Sequence, residues 1–220
     1  MGLGDAVVLG MGSMMGAGIF ASFAPAAAAA GAGLLIGLAI AAIVAYCNAL
    51  SSAQLAAQYP TSGGTYVFGR ERLGEWPGFL AGWGFVIGKT ASCAAMALTF
   101  AAYAAPEGWT KPVAVAVTVV LAAVNYFGIS RTAGLTRVIV IFVVMVLGLV
   151  IIAGLSVSTT VNPQLGAGIF EDGWYGILQS GGLLFFAFAG YARIATMGEE
   201  VKNPSRNIPR AIVTSLALTL

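Results

Sequence analysis

Long apolar runs alternate with short polar connections along the whole chain. Six of these runs reach or approach the roughly 20 apolar residues that a helix needs to cross a bilayer. The predicted spans are 5–30, 33–57, 78–103, 112–128, 137–159 and 175–199. A seventh run starts near Pro209 and stops at Leu220, which is too short to cross, so we expect a truncated chain. The pattern predicts an all-α, polytopic membrane protein with one transmembrane domain over 1–220.

The first span contains a glycine-rich stretch, GMGSMMGAGIF, at residues 10–20. A dinucleotide-binding turn uses such glycines after a strand, with an acidic residue about 20 positions later. No acidic residue occurs between Asp5 and Arg70, so the nucleotide interpretation fails. Two interpretations stay open on these residues alone. One is a membrane helix that breaks near mid-bilayer between Gly16 and Gly18, and the other is a face of small residues for helix packing.

A glycine also interrupts the sixth span, and it bears on the choice between a broken helix and a packing face. Gly190 lies well inside 175–199, and Arg193 follows it. An arginine at that depth is costly and marks a functional or water-filled site. Two interrupted helices, five spans apart, are typical of transporters built from inverted repeats. The pattern therefore favours broken helices over simple packing faces.

Composition agrees with a membrane protein, and the basic residues indicate its orientation. The chain is 59% hydrophobic and 8% charged, against about 25% charged residues in a typical soluble domain. Lys and Arg concentrate in the short cytoplasmic loops of multi-pass proteins. With the N-terminus inside, the cytoplasmic connections hold Arg70, Arg72, Arg131, Arg137, Lys202, Arg206 and Arg210. The outer loops hold only Lys111, so we expect the cytoplasmic (inner or plasma) membrane with an inside N-terminus.

The residues that most enzymes depend on are missing from the sequence. There is no histidine, which is the commonest general base and metal ligand. The two cysteines, Cys47 and Cys93, lie inside spans and are expected to pack as small apolar residues. We therefore expect no enzymatic activity, no catalytic residue, no cofactor, no metal site and no nucleic-acid partner. The expected surroundings are the lipid bilayer.

Two basic residues, Lys89 and Arg193, fall within predicted spans. Lys89 lies near mid-bilayer, and a lysine can exchange its proton, so Lys89 is the candidate proton-coupling group. The alternative for Lys89 is a structural contact with carbonyls at the first helix break. Arg193 is either a fixed positive charge that bonds unwound carbonyls in place of a coupling cation, or a direct substrate contact.

Four motifs resemble the amino acid–polyamine–organocation permeases. GAGIF at 16–20 is similar to the first-helix signature of that family, YPTSGGTYVFGRERLG at 59–74 to the connection after span two, and NYFGIS at 125–130 to the segment after span four. The longest motif, FFAFAGYARIATMGEEVKNPSRNIPRAI at 185–212, resembles the sixth helix and the loop that follows it. The resemblance covers essentially the whole chain, which looks most like bacterial permeases similar to the cationic amino acid transporters.

The resemblance implies the first half of a five-plus-five inverted-repeat fold, with substrate between the broken helices 1 and 6. Such permeases grip the amino acid backbone: N–H groups meet the carboxylate, carbonyls meet the ammonium, and aromatic rings cap the pocket. The implied N–H donors are Ala17 and Gly18, the carbonyls lie near Met14, Phe186 and Ala189, and the caps are Phe188 and Tyr191. Ile19 and Arg193 complete the predicted substrate-binding set.

Three departures from the family pattern bear on function. Ala192 and then Arg193 stand where similar transporters often have an acidic residue, so we expect a neutral or acidic substrate. Proton-coupled relatives have a lysine where this chain has Val143, and Gln54 stands where glutamate is common. The expected function is secondary-active amino acid transport by alternating access, with Lys89 as the candidate for proton coupling. The alternative is a non-transporting membrane subunit or an inactive truncated remnant of a permease.

Overall fold

A computed structural model describes residues 1–126, 129–157, 168–170 and 173–220, and all of their regular secondary structure is helical. The prediction of an all-α fold is confirmed. Five helical runs are long and apolar enough to cross a membrane: Leu3–Ala21, Phe23–Gln58, Glu75–Ala104, Gly134–Ser156 and Gly173–Ala195. A further apolar helix, Thr110–Tyr126, is shorter. The protein is therefore an integral, multi-pass membrane protein.

The described residues form α-helices joined by short connections. The helices before residue 105 are α1 (Leu3–Met14), α2 (Ala17–Ala21), α3 (Phe23–Ala30), α4 (Leu34–Gln58), α5 (Thr65–Leu73) and α6 (Glu75–Ala104). Those after it are α7 (Thr110–Tyr126), α8 (Ile129–Val157), α9 (Gly173–Phe188), α10 (Ala192–Ala195) and α11 (Pro204–Thr219). Short 3-10 turns cover Gly31–Gly33 and Ala189–Tyr191.

Helix α4 packs closely against α9 and α11 because one of its faces is built from small residues. Ala41, Ala45 and Ala49 lie one turn apart on this face and are buried. Towards the start of α4, a Cβ at Gly37 would lie 3.0 Å from the amide nitrogen of Gly181 in α9. Small residues let helix backbones approach closely in a bilayer, where van der Waals packing drives association. The core therefore lies between α4, α9, α11 and α1.

Two predicted spans take a different form in the structure. The first, 5–30, is divided into α1, α2 and α3, because bends at Met15–Gly16 and at Ser22 interrupt it. The sixth, expected over 175–199, is helical as far as Ala195 and contains a 3-10 turn. The first predicted break is therefore a loss of helical structure, whereas the second is a local change from α-helix to 3-10 helix.

Helix α11 begins earlier than the sequence pattern suggested. The expected start was near Pro209, whereas the helix starts at Pro204, after Asn203 in the left-handed region at φ 50°. Proline is favourable at the first helical position, since the N–H that it lacks would have no helical partner there. In the first turn of α11, the Asn207 Nδ2 donates to the Lys202 carbonyl at 2.5 Å. Pro209 is accommodated inside α11.

The N-terminus is fixed against the segment between α10 and α11. The Met1 ammonium donates to the Glu200 carbonyl at 2.6 Å, and the Lys202 amide donates to the Met1 carbonyl at 2.9 Å. In the first turn of α1, Asp5 forms an ion pair with Arg137 of α8. These contacts anchor the helix that leads into the first interruption.

Candidate functional site

The first interruption separates α1 from α2 by a short non-helical bend. Helix α1 ends at Met14, the backbone bends at Met15 and Gly16, and α2 starts at Ala17. The Ile19 amide donates to the Gly16 carbonyl at 3.3 Å, which closes only the first turn of α2. The first N–H groups of a helix have no acceptor within that helix. This bend therefore presents backbone polar groups in the middle of a membrane-spanning run.

The second interruption, between α9 and α10, keeps the chain helical. Helix α9 ends at Phe188, the 3-10 turn occupies Ala189–Tyr191, and α10 continues at Ala192. The backbone of Phe188 (φ −89°, ψ −17°) and of Tyr191 (φ −56°, ψ −30°) stays in the right-handed helical region. A stretch of 3-10 helix within a longer helix often marks a hinge or functional site. Here it tightens the helix just before Arg193.

The two interruptions touch each other, and glycine is required at both contacts. A Cβ at Gly18 would lie 2.7 Å from the Cβ of Ala187 and would overlap the backbone of that residue. A Cβ at Gly190 would overlap the Ser13 carbonyl and lie 2.6 Å from the Met14 amide nitrogen. Real Cβ atoms essentially never approach other heavy atoms below 3.0 Å. The absence of side chains at Gly18 and Gly190 therefore allows the two backbones to meet.

The structure brings only part of the predicted site into this junction. Met14, Phe188 and Tyr191 are buried within one hydrophobic cluster. Phe186, whose carbonyl was the group predicted for the site, is 39% exposed. Ile19, Ala189 and Gly18 lie on the interrupted segments themselves. The side chains of Ala17 and Arg131 lie outside the described part of the structure.

A cavity of about 620 Å³ opens between α6, α7 and α8, beside the first interruption. Met96, Thr136 and Arg193 are among the residues that line it. The Met96 sulfur lies 3.5 Å from the position of a Cβ at Gly16, and the Thr136 methyl lies 2.8 Å from that of a Cβ at Gly12. The cavity, called here the α6–α8 cavity, therefore shares walls with the segment where α1 ends.

Arg193 lines this cavity, and Lys89 lies one turn before Cys93, which also lines it. The partners of both cations among the described contacts are neutral. The Lys89 ammonium lies 5.7 Å from the centre of the Phe85 ring. Arg193 donates weakly from Nη1 to the Thr196 hydroxyl at 3.5 Å.

The sequence held a signal for this cavity that the prediction did not use. Lys89, Cys93, Met96 and Phe100 recur at helical spacing and so share one face of α6. Cys93, Met96 and Phe100 line the α6–α8 cavity. Among the described residues, no group of three or more His, Cys, Asp or Glu side chains is arranged to hold a metal ion.

Comparison with known families assigns the chain. The family profile described as amino acid permease matches residues 1–220. The chain belongs to the amino acid permease family. The match includes both interrupted helices, and with them the junction at Gly18 and Gly190. The names of the family and of its members are those of transporters and not of enzymes.

Individual relatives carry different substrate names. The chain is 62% identical over 220 residues to an uncharacterized transporter of Mycobacterium tuberculosis, matching 100% of this chain and 50% of the relative. It is 28% identical to the chloroplastic cationic amino acid transporter 6 of Arabidopsis thaliana, matching 97% of this chain and 41% of the relative. It is 29% identical to the branched-chain amino acid permease BcaP of Bacillus subtilis, matching 98% of this chain and 51% of the relative. The chain therefore spans about half the length or less of these relatives.

Proposed function

We propose that this amino acid permease chain takes part in secondary-active amino acid transport across the cytoplasmic membrane by alternating access. The observation that carries the proposal is the contact between the two interruptions, at Gly18 and at Gly190. Breaks in membrane helices are tolerated where the freed backbone groups line a cavity or are buried in protein. In transporters such breaks meet near the bilayer midplane and hold substrate. The family assignment supports the same function.

The substrate's α-carboxylate is proposed to bind at the start of α2. The N–H groups of Ala17 and Gly18 lie in its first turn, beside Ile19. N–H groups at such a position attract anions. The α-ammonium would be accepted by carbonyls near Met14.

Carbonyls of Phe186 and Ala189 are proposed to complete the ammonium contact from the side of α9. Phe188 and Tyr191 are proposed to cap the pocket. Both rings are buried in the hydrophobic cluster, so capping requires that they turn from that cluster towards the substrate. Such a movement would couple substrate binding to the packing of α1 and α11, because the same cluster contains residues from both helices.

The substrate is proposed to be a neutral or acidic amino acid, with Lys89 as the proton-coupling group. A cationic side chain would meet the positive charge of Arg193 and find no carboxylate at the adjacent Ala192. Relatives named for cationic and for branched-chain substrates are about equally similar to this chain, so the family alone does not fix the choice.

An inside N-terminus is proposed from the distribution of basic residues in the connections. Single cysteines placed at Thr65 and at Gly108 test this orientation, because they lie in connections on opposite sides of the membrane under the proposal. If a reagent added outside labels Thr65 and not Gly108, the N-terminus lies outside and the proposed orientation is wrong.

The alternative carried over from the sequence is a membrane subunit that does not itself transport. The two candidates differ in whether this chain binds an amino acid at all. Binding would favour the transporter, whereas a subunit would show none.

The deciding experiment is a ligand screen on the purified 220-residue chain in lipid nanodiscs. Thermal unfolding is recorded with each of the natural amino acids, and uptake into proteoliposomes is then measured for those that stabilise. Stabilisation by a ligand follows from preferential binding to the folded state. We expect a subset of neutral or acidic amino acids to raise the unfolding temperature. No stabilisation by any amino acid would contradict the proposal.

A further inference from the structure

A groove between α4 and α11 is open to the surroundings of the helices. It has a volume of about 470 Å³ and shares no lining residue with the α6–α8 cavity. Its α4 side belongs to the last turns of the membrane-spanning run Phe23–Gln58. The groove, called here the α4–α11 groove, is lined by Leu50, Ala53, Gln54, Ala57, Pro209, Arg210, Val213 and Thr214.

The groove exists because short side chains occupy the contact between the two helices. Ala53 and Ala57 lie one turn apart on α4, and Pro209 lines the side formed by α11. Small residues let helix backbones approach closely in a bilayer, but they leave the outer edge of the contact unfilled. Leu50 and Val213 are partly buried and make this edge apolar. The groove therefore presents an extended apolar surface that an acyl chain can cover.

One end of the groove lies where α4 leaves the membrane. Ala57 immediately precedes Gln58, the last residue of the helix, while Leu50 lies about 12 Å further into the run at 1.5 Å per residue. Helix α11 starts near the same end, because a Cβ at Gly198, shortly before α11, would overlap the backbone of Thr61, shortly after α4. The end of α4 and the start of α11 therefore share one edge of the membrane.

Two arginines occupy the face of α11 at this edge. Arg210 lines the groove, and Arg206 lies four residues earlier, one turn closer to the start of α11. Both are exposed, as is Thr214 one turn further on, whereas Ile208 and Ile212 are buried on the other side of the helix. Residues four apart on a helix are neighbours on one face. The two arginines therefore share the face of α11 that carries the groove.

Neither arginine forms an ion pair within the described part of the structure. The ion pairs there join Arg70 to Glu75 and Arg137 to Asp5. Like charges four residues apart destabilise a helix, and cations near its start also oppose the helix dipole. The two charges therefore do not stabilise α11 by themselves, and an anion from outside the chain would offset both effects.

We propose that the α4–α11 groove is a binding site for an anionic phospholipid, with the phosphate at Arg206 and Arg210 and an acyl chain along the groove. Basic pockets between membrane helices bind anionic lipid headgroups, and arginine donates paired hydrogen bonds to phosphate oxygens. The arginines lie at the edge of the membrane, where headgroups are found. The apolar wall continues from there into the region of the acyl chains.

The charge pattern favours this occupant over two others. A zwitterionic phospholipid carries a positive group beside its phosphate, so it would compensate the arginines less. A second copy of this chain would have to bring an acidic side chain to Arg210. Within the described membrane-spanning runs the acidic residues are Asp5 and Glu75, and both already pair with arginines.

The test compares two phospholipids that have the same acyl chains and differ in headgroup charge. The 220-residue chain is purified in detergent, and native mass spectrometry measures its affinity for dioleoyl phosphatidylglycerol and for dioleoyl phosphatidylcholine. An arginine near a membrane surface raises the affinity for an anionic lipid about fivefold. We therefore expect phosphatidylglycerol to bind about tenfold tighter or more. Arg206→Gln and Arg210→Gln should each lower its affinity about fivefold, and the double variant should bind both lipids about equally.

Matched variants separate the groove from charge elsewhere. Arg70→Gln removes a positive charge from α5, outside the groove, and should keep the preference for phosphatidylglycerol. Ala57→Phe fills the groove and should weaken binding of this lipid, whereas Ala123→Phe adds the same ring at an exposed position of α7 and should not. Replacing both groove arginines by lysine retains the charge and should keep part of the preference. If the double glutamine variant fails to fold, the two single variants decide the result.

Each contrary result has a distinct meaning. Equal affinity for the two lipids in the unmodified chain overturns the proposal. A preference that survives in the double glutamine variant also overturns it, because the lipid would then bind elsewhere. Unchanged binding by Ala57→Phe overturns the placement of the acyl chain.

Two further outcomes would identify a different occupant. Inorganic phosphate that raises the unfolding temperature as much as phosphatidylglycerol does would identify a site for soluble anions and overturn the lipid assignment. A dimer without bound phosphatidylglycerol in the mass spectra would mean that a second copy covers the groove, which overturns it as well. No amino acid is present in these measurements, so their outcome does not depend on the proposed transport.

Discussion

The two interruptions of the membrane helices bring different chemistry to the same junction. At the first, the chain leaves the helix at Met15 and Gly16 and offers backbone polar groups. At the second, the 3-10 turn Ala189–Tyr191 keeps the chain helical, and the charged group nearby is the side chain of Arg193. Backbone groups suit what all amino acids share, while a side chain can select among them. We infer that the first interruption recognises the amino acid backbone and the second contributes to selectivity.

The largest expected effect comes from filling the first interruption. Gly18→Leu should abolish substrate binding and uptake, because the new side chain would meet the backbone of Ala187 where the two interruptions touch. Leucine is favourable in a membrane helix, so insertion should persist. Uptake into proteoliposomes, calorimetric binding and the amount of membrane-inserted protein are measured together.

Two controls separate a lost site from a damaged fold. Gly4→Leu adds a side chain in open space on α1 and should be neutral. Gly33→Leu crowds a buried contact elsewhere, 2.7 Å from the Ile169 carbonyl oxygen, and should lower stability while the folded protein still binds substrate. Normal uptake by Gly18→Leu would show that the first interruption is a packing contact and not a site.

A second prediction concerns the contact at the other interruption. Gly190→Ala should destabilise the protein by about 1–3 kcal/mol, the usual range for overpacking, because the Cβ would overlap backbone atoms of Ser13 and Met14. Gly182→Ala on α9 is the matched control: it has open space around it and should be neutral or stabilising by up to about 1 kcal/mol. Unfolding in detergent by a denaturant series measures both. Equal stabilities of the two variants would contradict the close contact.

A third prediction concerns Lys89 and the pH dependence of uptake. Lys89→Gln should remove the pH dependence of uptake of a neutral amino acid while leaving its binding measurable, since the exchangeable proton is lost and the backbone groups are unchanged. Lys111→Gln, which removes a cation from α7, should keep the pH dependence. Initial uptake rates across a pH series test both variants. An unchanged profile in Lys89→Gln would assign Lys89 a structural role only.

Much of the fold could be predicted from local patterns, and the extent of each interruption could not. Apolar runs of membrane-spanning length predicted the helices because the bilayer leaves few alternatives. Glycines at Gly16, Gly18 and Gly190 marked weak points in both helices. Glycine is compatible with an unwound bend and with a 3-10 turn alike. The choice between a bend and a 3-10 turn depends on the contacts of Gly18 with Ala187 and of Gly190 with Ser13. These contacts join residues far apart in the sequence, so the local sequence does not indicate them.

The candidate site shows the same limit. Sequence reasoning identified Lys89 and Arg193 as separate costly charges, whereas the cavity that Arg193 lines is formed by tertiary packing. The shared helical face of Lys89 and Met96 was readable from spacing alone. That this face lines a cavity depends on where α7 and α8 lie. The start of α11 at Pro204 likewise depends on the left-handed conformation of Asn203, for which the sequence pattern gave no indication.

The smallest expected effect concerns how the helix leading to the first interruption is anchored. Asp5 and Arg137 form an ion pair whose side chains are 34% and 57% exposed, so solvent screens much of the attraction. We expect Asp5→Asn and Arg137→Gln each to lower the free energy of unfolding by less than about 1 kcal/mol, and the double variant to show a coupling of similar size. The backbone contacts of Met1 with Glu200 and Lys202 should hold the start of α1 in place in these variants. Denaturant unfolding at low and high salt measures the coupling, which should fade as salt increases. A coupling that is large and independent of salt would mean that the ion pair, and not the backbone contacts, holds α1 against α8.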